Sequence, residues 1–166
     1  TLDVRVGLGY DLHRLVKGRP FVLGGVRIPH PKGPLGHSDG DALIHAVIDA
    51  LLGAAGEGDI GRLFPDTDPR FKDARSLDLL EAVMKVLKKR RLRVRHVDAV
   101  VVVERPKIGP HVAAMKAALC PRLGLPEDRL GSKAKTNEGL GLIGRGGAVA
   151  CWAVALVGET PRLRKR

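Results

Sequence analysis

The stretch HVDAVVVVERP, residues 96–106, sets the tightest limit on what this chain can fold into. An unbroken β-branched and apolar run is the pattern of a strand buried inside a sheet. Helical patterns flank it. RSLDLLEAVMKVLKKRR puts Leu77, Leu80, Met84 and Leu87 on one side of a helix, and PHVAAMKAALC gives another, opened by Pro110 and closed or kinked near Pro121. Further strands are expected where Val4, Val6 and Leu8 alternate, at 21–29 with an interruption at Gly24 and Gly25, at 129–135, and at 147–158. A helix is predicted from near Ser38 or Asp39 to Gly56, with Ser38 and Asp41 in a capping arrangement and Leu43, Val47, Ala50, Leu51 and Ala54 as its apolar stripe. Interleaved elements of this kind predict an α/β, α+β-like fold in which helices cover a mixed sheet. The 166 residues, 44% hydrophobic, suffice for one core and not for two, so one domain is expected over 1–160 with a basic tail at 161–166.

Composition narrows the chemistry. The two cysteines, Cys120 and Cys151, both lie in apolar patterns, which leaves any metal to His, Asp or Glu. The N-terminal stretch is strand-like and carries no secretory pattern, and the longest apolar runs are too short to cross a bilayer, so a soluble cytoplasmic protein is expected. A net charge of +11 raises the question of a nucleic-acid-binding module. Much of the excess, however, lies in KKRRLRVR at 88–95, read here as a solvated helix end, and in the tail, while aromatics make up 3% and offer few stacking platforms. No nucleic-acid partner is expected. The absence of Gln, the single Asn137 and the excess of Arg over Lys point to a thermophilic source.

Four clusters carry candidate chemistry. In GLGYDLHRL, residues 7–15, strand parity aims Asp11 and His13 the same way, as a solvated strand end or as a carboxylate–imidazole pair suited to zinc. On the following helix, Asp41, His45 and Asp49 are spaced i, i+4, i+8, so His45 can supply a third ligand, with Asp41 or Asp49 holding its far nitrogen. Three ligands leave a tetrahedral ion one open position, as a catalytic site requires. GHSDGD places His37 and Ser38 at a helix start, where anions or a plain cap fit equally. ERPKIGPH presents Lys107 in a Pro-bounded loop, and KAKTNEGLG gathers Lys133, Lys135, Thr136 and Glu138, a set that suits phosphate and a hard cation such as Mg²⁺, or an ordinary solvated loop.

The blocks GLGYDLHRL, LGGVRIPHPKGPLGHSDGDALIHAVIDALLGAAGEGDIGRLFPDTDPRFK, ERPKIGPH and KAKTNEGLGLIGRG together resemble the family of 2-C-methyl-D-erythritol 2,4-cyclodiphosphate synthases of the non-mevalonate isoprenoid pathway, over nearly the whole chain. The resemblance implies a phosphorus–oxygen lyase that converts 4-diphosphocytidyl-2-C-methyl-D-erythritol 2-phosphate to the cyclic diphosphate and releases CMP. It implies zinc at Asp11, His13 and His45, transition-state contacts from His37 and Thr136, and Mg²⁺ or Mn²⁺ at Glu138. Ser38, Asp59, Ile60, Gly61 and the segment Phe64, Pro65, Asp66, Thr67, Asp68 are implied to hold the substrate's phosphate and sugar. Val103, Glu104, Arg105, Pro106, Lys107, Ile108 and Gly109, with Lys135, are implied to form the cytidine pocket, and Asn137 to keep a phosphate contact. A homotrimer with sites between subunits is also implied, with Leu142 and Arg145 near a central channel. The chain departs from the family at Lys135, Asn137, Leu142, Gly147 and Ala148, which leaves the channel ligand less secure than the active site. A zinc phosphoesterase built on the same ligands is the rival enzyme, and it differs in consuming water to give a linear product.

Overall fold

In chain order, the computed structural model, which describes residues 4–160, contains β1 (Val4–Lys17), β2 (Phe21–Leu23), β3 (Val26–Ile28), β4 (Lys32–Pro34), α1 (Ala42–Ala55), α2 (Ile60–Leu63), α3 (Ser76–Lys89), β5 (Leu92–Val102), α4 (Val112–Leu123), β6 (Leu130–Lys135), α5 (Gly141–Gly144) and β7 (Ala148–Glu159). The expected tail at 161–166 lies outside the described residues. Five strands form one sheet in the order β4-β1-β7-β5-β6, and β2 and β3 pair as a separate hairpin. The β5–β6 pair is parallel and the other pairings are antiparallel, so the sheet is mixed as the interleaved pattern predicts.

What fixes the layers is the absence of side chains on β1. A Cβ built on Gly7 would lie 1.8 Å from the Ala50 carbonyl oxygen, and one on Gly9 would lie 1.8 Å from that of Ala46. The backbone of α1 therefore rests directly on the backbone of β1, a separation that only glycine permits. This reverses the expected sidedness of the strand. The glycine parity faces the core, and the apolar parity of Val4, Val6, Leu8, Tyr10 and Leu12 is turned away from it, with Leu8 68% exposed. Trp152 and Val154 on β7 share that outer face, and the Tyr10 and Trp152 rings meet there, centroids 4.9 Å apart and planes tilted by 44°.

The same asymmetry corrects the reading of the 96–106 run. Val97, Ala99, Val101 and Val103 are buried, whereas Val100 and Val102 between them are half-buried, because helices cover only one face of the sheet in a single chain. The strand also starts earlier than the pattern suggests. Arg91 turns the chain with a φ of 58°, and Leu92 and Val94 enter the core, so residues 92–95 belong to β5 and only 88–91 form the solvated helix end.

Helix α1 is buried on nearly all sides rather than along one stripe, and its N-cap is Asp41, not Ser38 or Asp39. The Asp41 carboxylate accepts from the Ile44 N–H at 3.0 Å and from the Gly24 and Gly25 N–H groups at 2.9 and 2.7 Å. It therefore caps the helix and pins the β2–β3 turn to it, a turn whose two glycines have positive φ. In α4 the helix proper begins at Val112 after a 3-10 turn that holds Pro110, and Pro121 is accommodated in its last turn before Gly124 ends it with a left-handed φ. Replacing Gly9 with Ala is expected to lower the unfolding free energy by about 3 kcal/mol or more, since neither backbone can yield without parting the two layers. Urea unfolding of the purified variant measures this, and a midpoint equal to the parent's would contradict the backbone contact.

Candidate metal centre and substrate cavities

Adjacent outward steps on the core face of β1 bring Asp11 and His13 beneath α1, and His45, in the first turn of that helix, comes down between them. The Nδ1 atoms of His13 and His45 lie 2.9 and 3.0 Å from the same oxygen, Asp11 Oδ2. Ligand atoms of all three residues fall within 4.8 Å of one another. Tetrahedral bonds of ~2.0–2.2 Å place ligands about 3.3–3.6 Å apart, so these separations suit one divalent ion after small adjustments. A second observation tests the fit. His13 Nδ1 is buried yet has no aligned hydrogen-bond partner, despite its proximity to Asp11. A buried ring nitrogen facing a carboxylate and a second imidazole, without a donor of its own, is the arrangement of a ligand set rather than of a packed core. Two nitrogens and one oxygen form a borderline donor set that suits zinc and its neighbours.

Electrostatics support the grouping. Burial by itself raises the Asp11 carboxyl, but the imidazoles of His13 and His45 beside it outweigh that effect and hold the group at about 2. Burial works against the charged form of His45, and the hydrogen bond and charge of Asp11, with Asp41 and Asp39 nearby, nonetheless raise its pKa. The far nitrogen of His45 is not held by Asp41 or Asp49. Asp41 is committed to three backbone N–H groups, and Asp49 accepts from the Ile60 N–H at 2.7 Å. His45 Nε2 instead lies 2.9 Å from Ser76 Oγ and 3.2 Å from Ser38 Oγ.

A cavity of about 370 Å³ opens over the cluster, lined by His13, His37, Ser38 and His45 on one side and by Ile60, Gly61, Phe64, Pro65 and Asp66 on the other. The loop carrying His37 and Ser38 is fixed from below by Arg19, which donates to the Pro34, Gly36 and Ser38 carbonyls. Asp59, Thr67 and Asp68 share the 57–75 loop but do not line the cavity. The Asp59 side chain caps α2 by accepting from the Arg62 N–H, and Asp68 is engaged by Arg70 at 2.6 Å. A second cavity of about 420 Å³ is lined by Val103 through Pro110 together with Ala134, Lys135 and Thr136. Beside it, Asn137 N–H donates to Glu104, and Thr136 Oγ1 donates to Glu138 at 2.9 Å. Leu142 is in α5, Arg145 directly follows it, and neither lines these cavities. Among the described residues, none lines both cavities. A larger cleft of about 590 Å³, between the C-terminal ends of α3 and α4, has no metal-ligating side chain on its walls.

Sequence patterning missed Ser76, Asp39 and Arg19. Ser76 is a polar residue at the head of α3, and only the fold shows that it is fully buried against His45, 31 positions earlier.

Fold and site together define an α/β enzyme in which a sheet strand and a buried helix bring together a ligand triad that fits a divalent metal, beside a loop-walled cavity. The YgbB family matches residues 4–158, and the chain belongs to that family. A 2-C-methyl-D-erythritol 2,4-cyclodiphosphate synthase of Gloeobacter violaceus is 57% identical, covering 95% of this chain and 96% of the relative, and one of Dechloromonas aromatica is 54% identical over 94% and 98%. A solved synthase of the same name in its CDP-bound form superposes with a TM-score of 0.85 at 46% identity, covering 92% of this chain and 99% of that one. The bifunctional IspDF from Campylobacter jejuni superposes with a TM-score of 0.92 at 38% identity, and the match covers 96% of this chain and 43% of that larger one.

The shifts around Asp11 set a pH window for the metal-free protein. The lowered Asp11 value contributes stability that is present above the usual 3.8 and lost as pH falls toward about 2. The raised His45 value contributes stability that is full below 6.5 and lost as pH climbs through the folded value. Metal affinity moves the other way at the upper edge, since a ligand nitrogen must shed its proton. Thermal melts of chelator-treated protein should therefore pass through a maximum between these limits, while divalent-metal affinity rises across neutral pH. A metal-free melting curve that keeps rising through neutral pH would contradict the His45–Asp11 pairing.

Proposed function

We propose that this enzyme converts 4-diphosphocytidyl-2-C-methyl-D-erythritol 2-phosphate to 2-C-methyl-D-erythritol 2,4-cyclodiphosphate and CMP, acting in the cytoplasm as a phosphorus–oxygen lyase. The convergence of Asp11, His13 and His45 at the floor of a cavity walled by His37, Ser38 and residues 60–66 carries the reading. Relatives bearing the synthase name cover almost the whole chain.

In this reaction an oxygen of the 2-phosphate forms a bond to the β-phosphorus, the bond from that phosphorus to the oxygen bridging to the α-phosphate breaks, and CMP leaves with that oxygen. No water is consumed. A phosphate monoester has a second pKa near ~6, so the attacking oxygen is already ionised at neutral pH and no strong base is needed. The obstacles are repulsion between anions and the entropy of bending a flexible chain. Zinc held by Asp11, His13 and His45 would supply Lewis-acid polarisation of the β-phosphate, and Mg²⁺ or Mn²⁺ at Glu138 would neutralise charge on the diphosphate. His37 and the Ser38 hydroxyl donate toward phosphate oxygens from the cavity wall, with Thr136 in the matching role on the nucleotide side. Ile60, Gly61 and Phe64 through Asp66 enclose the sugar and exclude water that would otherwise give a linear product. Backbone groups of 103–109 with Lys135 receive the cytidine, and Asn137 contacts phosphate; a solved relative carries CDP.

We also assign a homotrimer, with each site shared between neighbours. The open sheet face of Val4, Val6, Leu8, Tyr10 and Leu12, extended by Trp152 and Val154, is a contiguous apolar surface of the kind that association buries. Two cavities with no common lining residue fit halves of sites completed by a second subunit.

Incubating metal-loaded protein with the diphosphocytidyl substrate should give CMP in step with a species of cyclic-diphosphate mass. His45→Ala should lower both by roughly a thousandfold, the worth of several kcal/mol of charge stabilisation. A linear product would instead establish the phosphoesterase. For assembly, the single tryptophan is a built-in reporter. Sedimentation should give a trimer with blue-shifted Trp152 emission, and Leu8→Asp should give a smaller, red-shifted species; a monomeric parent would remove the shared site.

A further inference from the structure

The metal-site reading accounts for the three ligands but not for the two residues packed behind one of them. Ser76 is fully buried at the head of α3, and Asp39 is half-buried in the loop before α1. The Ser76 hydroxyl donates to Asp39 Oδ1 in an unusually close contact, and the Ser76 N–H donates to Asp39 Oδ2 at 2.9 Å. Ser76 thus engages both carboxylate oxygens, and Oδ1 also accepts from the Asp41 N–H at 3.2 Å. Backbone hydrogen bonds tie the two loops on either side, from Asp39 N–H to the Ala74 carbonyl at 3.1 Å and from Asp73 N–H to the His37 carbonyl at 2.8 Å.

We propose that Asp39 and Ser76 act as a positioning relay that places the ring hydrogen of His45 on Nε2 and so presents Nδ1 to the metal as a lone pair. The inference rests on the metal-site reading above. An ionised carboxylate only accepts, so the one hydroxyl proton of Ser76 is committed to Asp39. Ser76 Oγ then has only lone pairs to offer His45 Nε2, 2.9 Å away, and the imidazole must donate there. With Nε2 held in this way the ring points Nδ1 at Asp11 Oδ2, 3.0 Å away, where a bound ion takes the place of the Nδ1 proton. Ser38 Oγ, at 3.2 Å, is the more distant acceptor and also receives the Gly40 N–H, which leaves its own proton for the cavity it lines. Such outer contacts govern metal affinity as well as orientation.

The test uses the full chain with Ser76→Ala and Asp39→Asn, with Ser76→Thr as the variant that keeps the hydroxyl. Zn²⁺ affinity is read by competition with a chromophoric chelator, and the His45 Nε2 hydrogen by proton–nitrogen NMR on Zn²⁺-saturated protein. Ser76→Ala and Asp39→Asn should each weaken Zn²⁺ binding by about 10–100-fold and shift the Nε2–H resonance, with Ser76→Thr recovering most of both. Circular dichroism on the same samples separates this from loss of fold. Should Ser76→Ala not fold, Asp39→Asn, which keeps an acceptor for the α3 N–H, carries the test alone. An unchanged Nε2–H resonance with affinity within about twofold of the parent overturns the relay, provided His45→Ala abolishes binding. If His45→Ala also binds normally, it is the metal site that fails.

Discussion

Everything in this structure follows from the contact between the backbone of α1 and the bare stretch of β1 at Gly7 and Gly9. Helices normally stand about 10 Å from a sheet because side chains fill the space between. Here the helix settles onto the strand itself, and its own small residues, Ala46, Ala50 and Ala54, allow it. The result is a short, stiff link between a strand end and a helix start. Asp11 and His13 on one and His45 on the other meet at hydrogen-bond distance without any intervening loop. A metal centre held this way is pre-organised by the rigid elements of the fold, which is where precise ligand geometry is best kept.

That contact also explains why the other face of the sheet is left open. With glycine turned inward, the β-branched and aromatic side chains of β1 have no layer to pack against within one chain, and the alternation of buried and half-buried valines along β5 carries the same asymmetry across the sheet. A surface built from strand residues rather than loop residues is flat and firm. Under the proposed assembly, the property that locks the metal centre internally is the one that calls for neighbours externally.

Much of this was legible in the residues. Strand and helix order, the parity that unites Asp11 with His13, and the presentation of His45 follow from periodicities of two and of about 3.6. The sidedness of β1 did not, because an apolar alternation says that one face is dry and not whether a helix or another subunit dries it. Nor did the role of Asp41. As one of two acids spaced a turn to either side of His45 it looked like a companion to that residue, whereas the hairpin turn at Gly24 and Gly25 brings two further N–H donors to it from a distant part of the chain. Ser76 left no periodic trace, since its value lies in a contact between elements 31 residues apart.

The acids of the site region show how a fold can carry many carboxylates next to a place meant for a polyanion. Asp39 is bound by Ser76, Asp41 by three backbone N–H groups, Asp49 by the Ile60 N–H, Asp59 by the Arg62 N–H and Asp68 by Arg70. Each negative charge is answered by a donor, many of them at the start of a helical turn, where the local dipole also favours it. Burial raises Asp41 and Asp49 even so, which measures how far these groups stand from water. Left unpaired, the same groups would repel a substrate that bears three phosphates. Committed as caps, they instead shape the loops of residues 36–41 and 57–75, and Asp11, whose partners are imidazoles, is the carboxylate that remains placed for a cation.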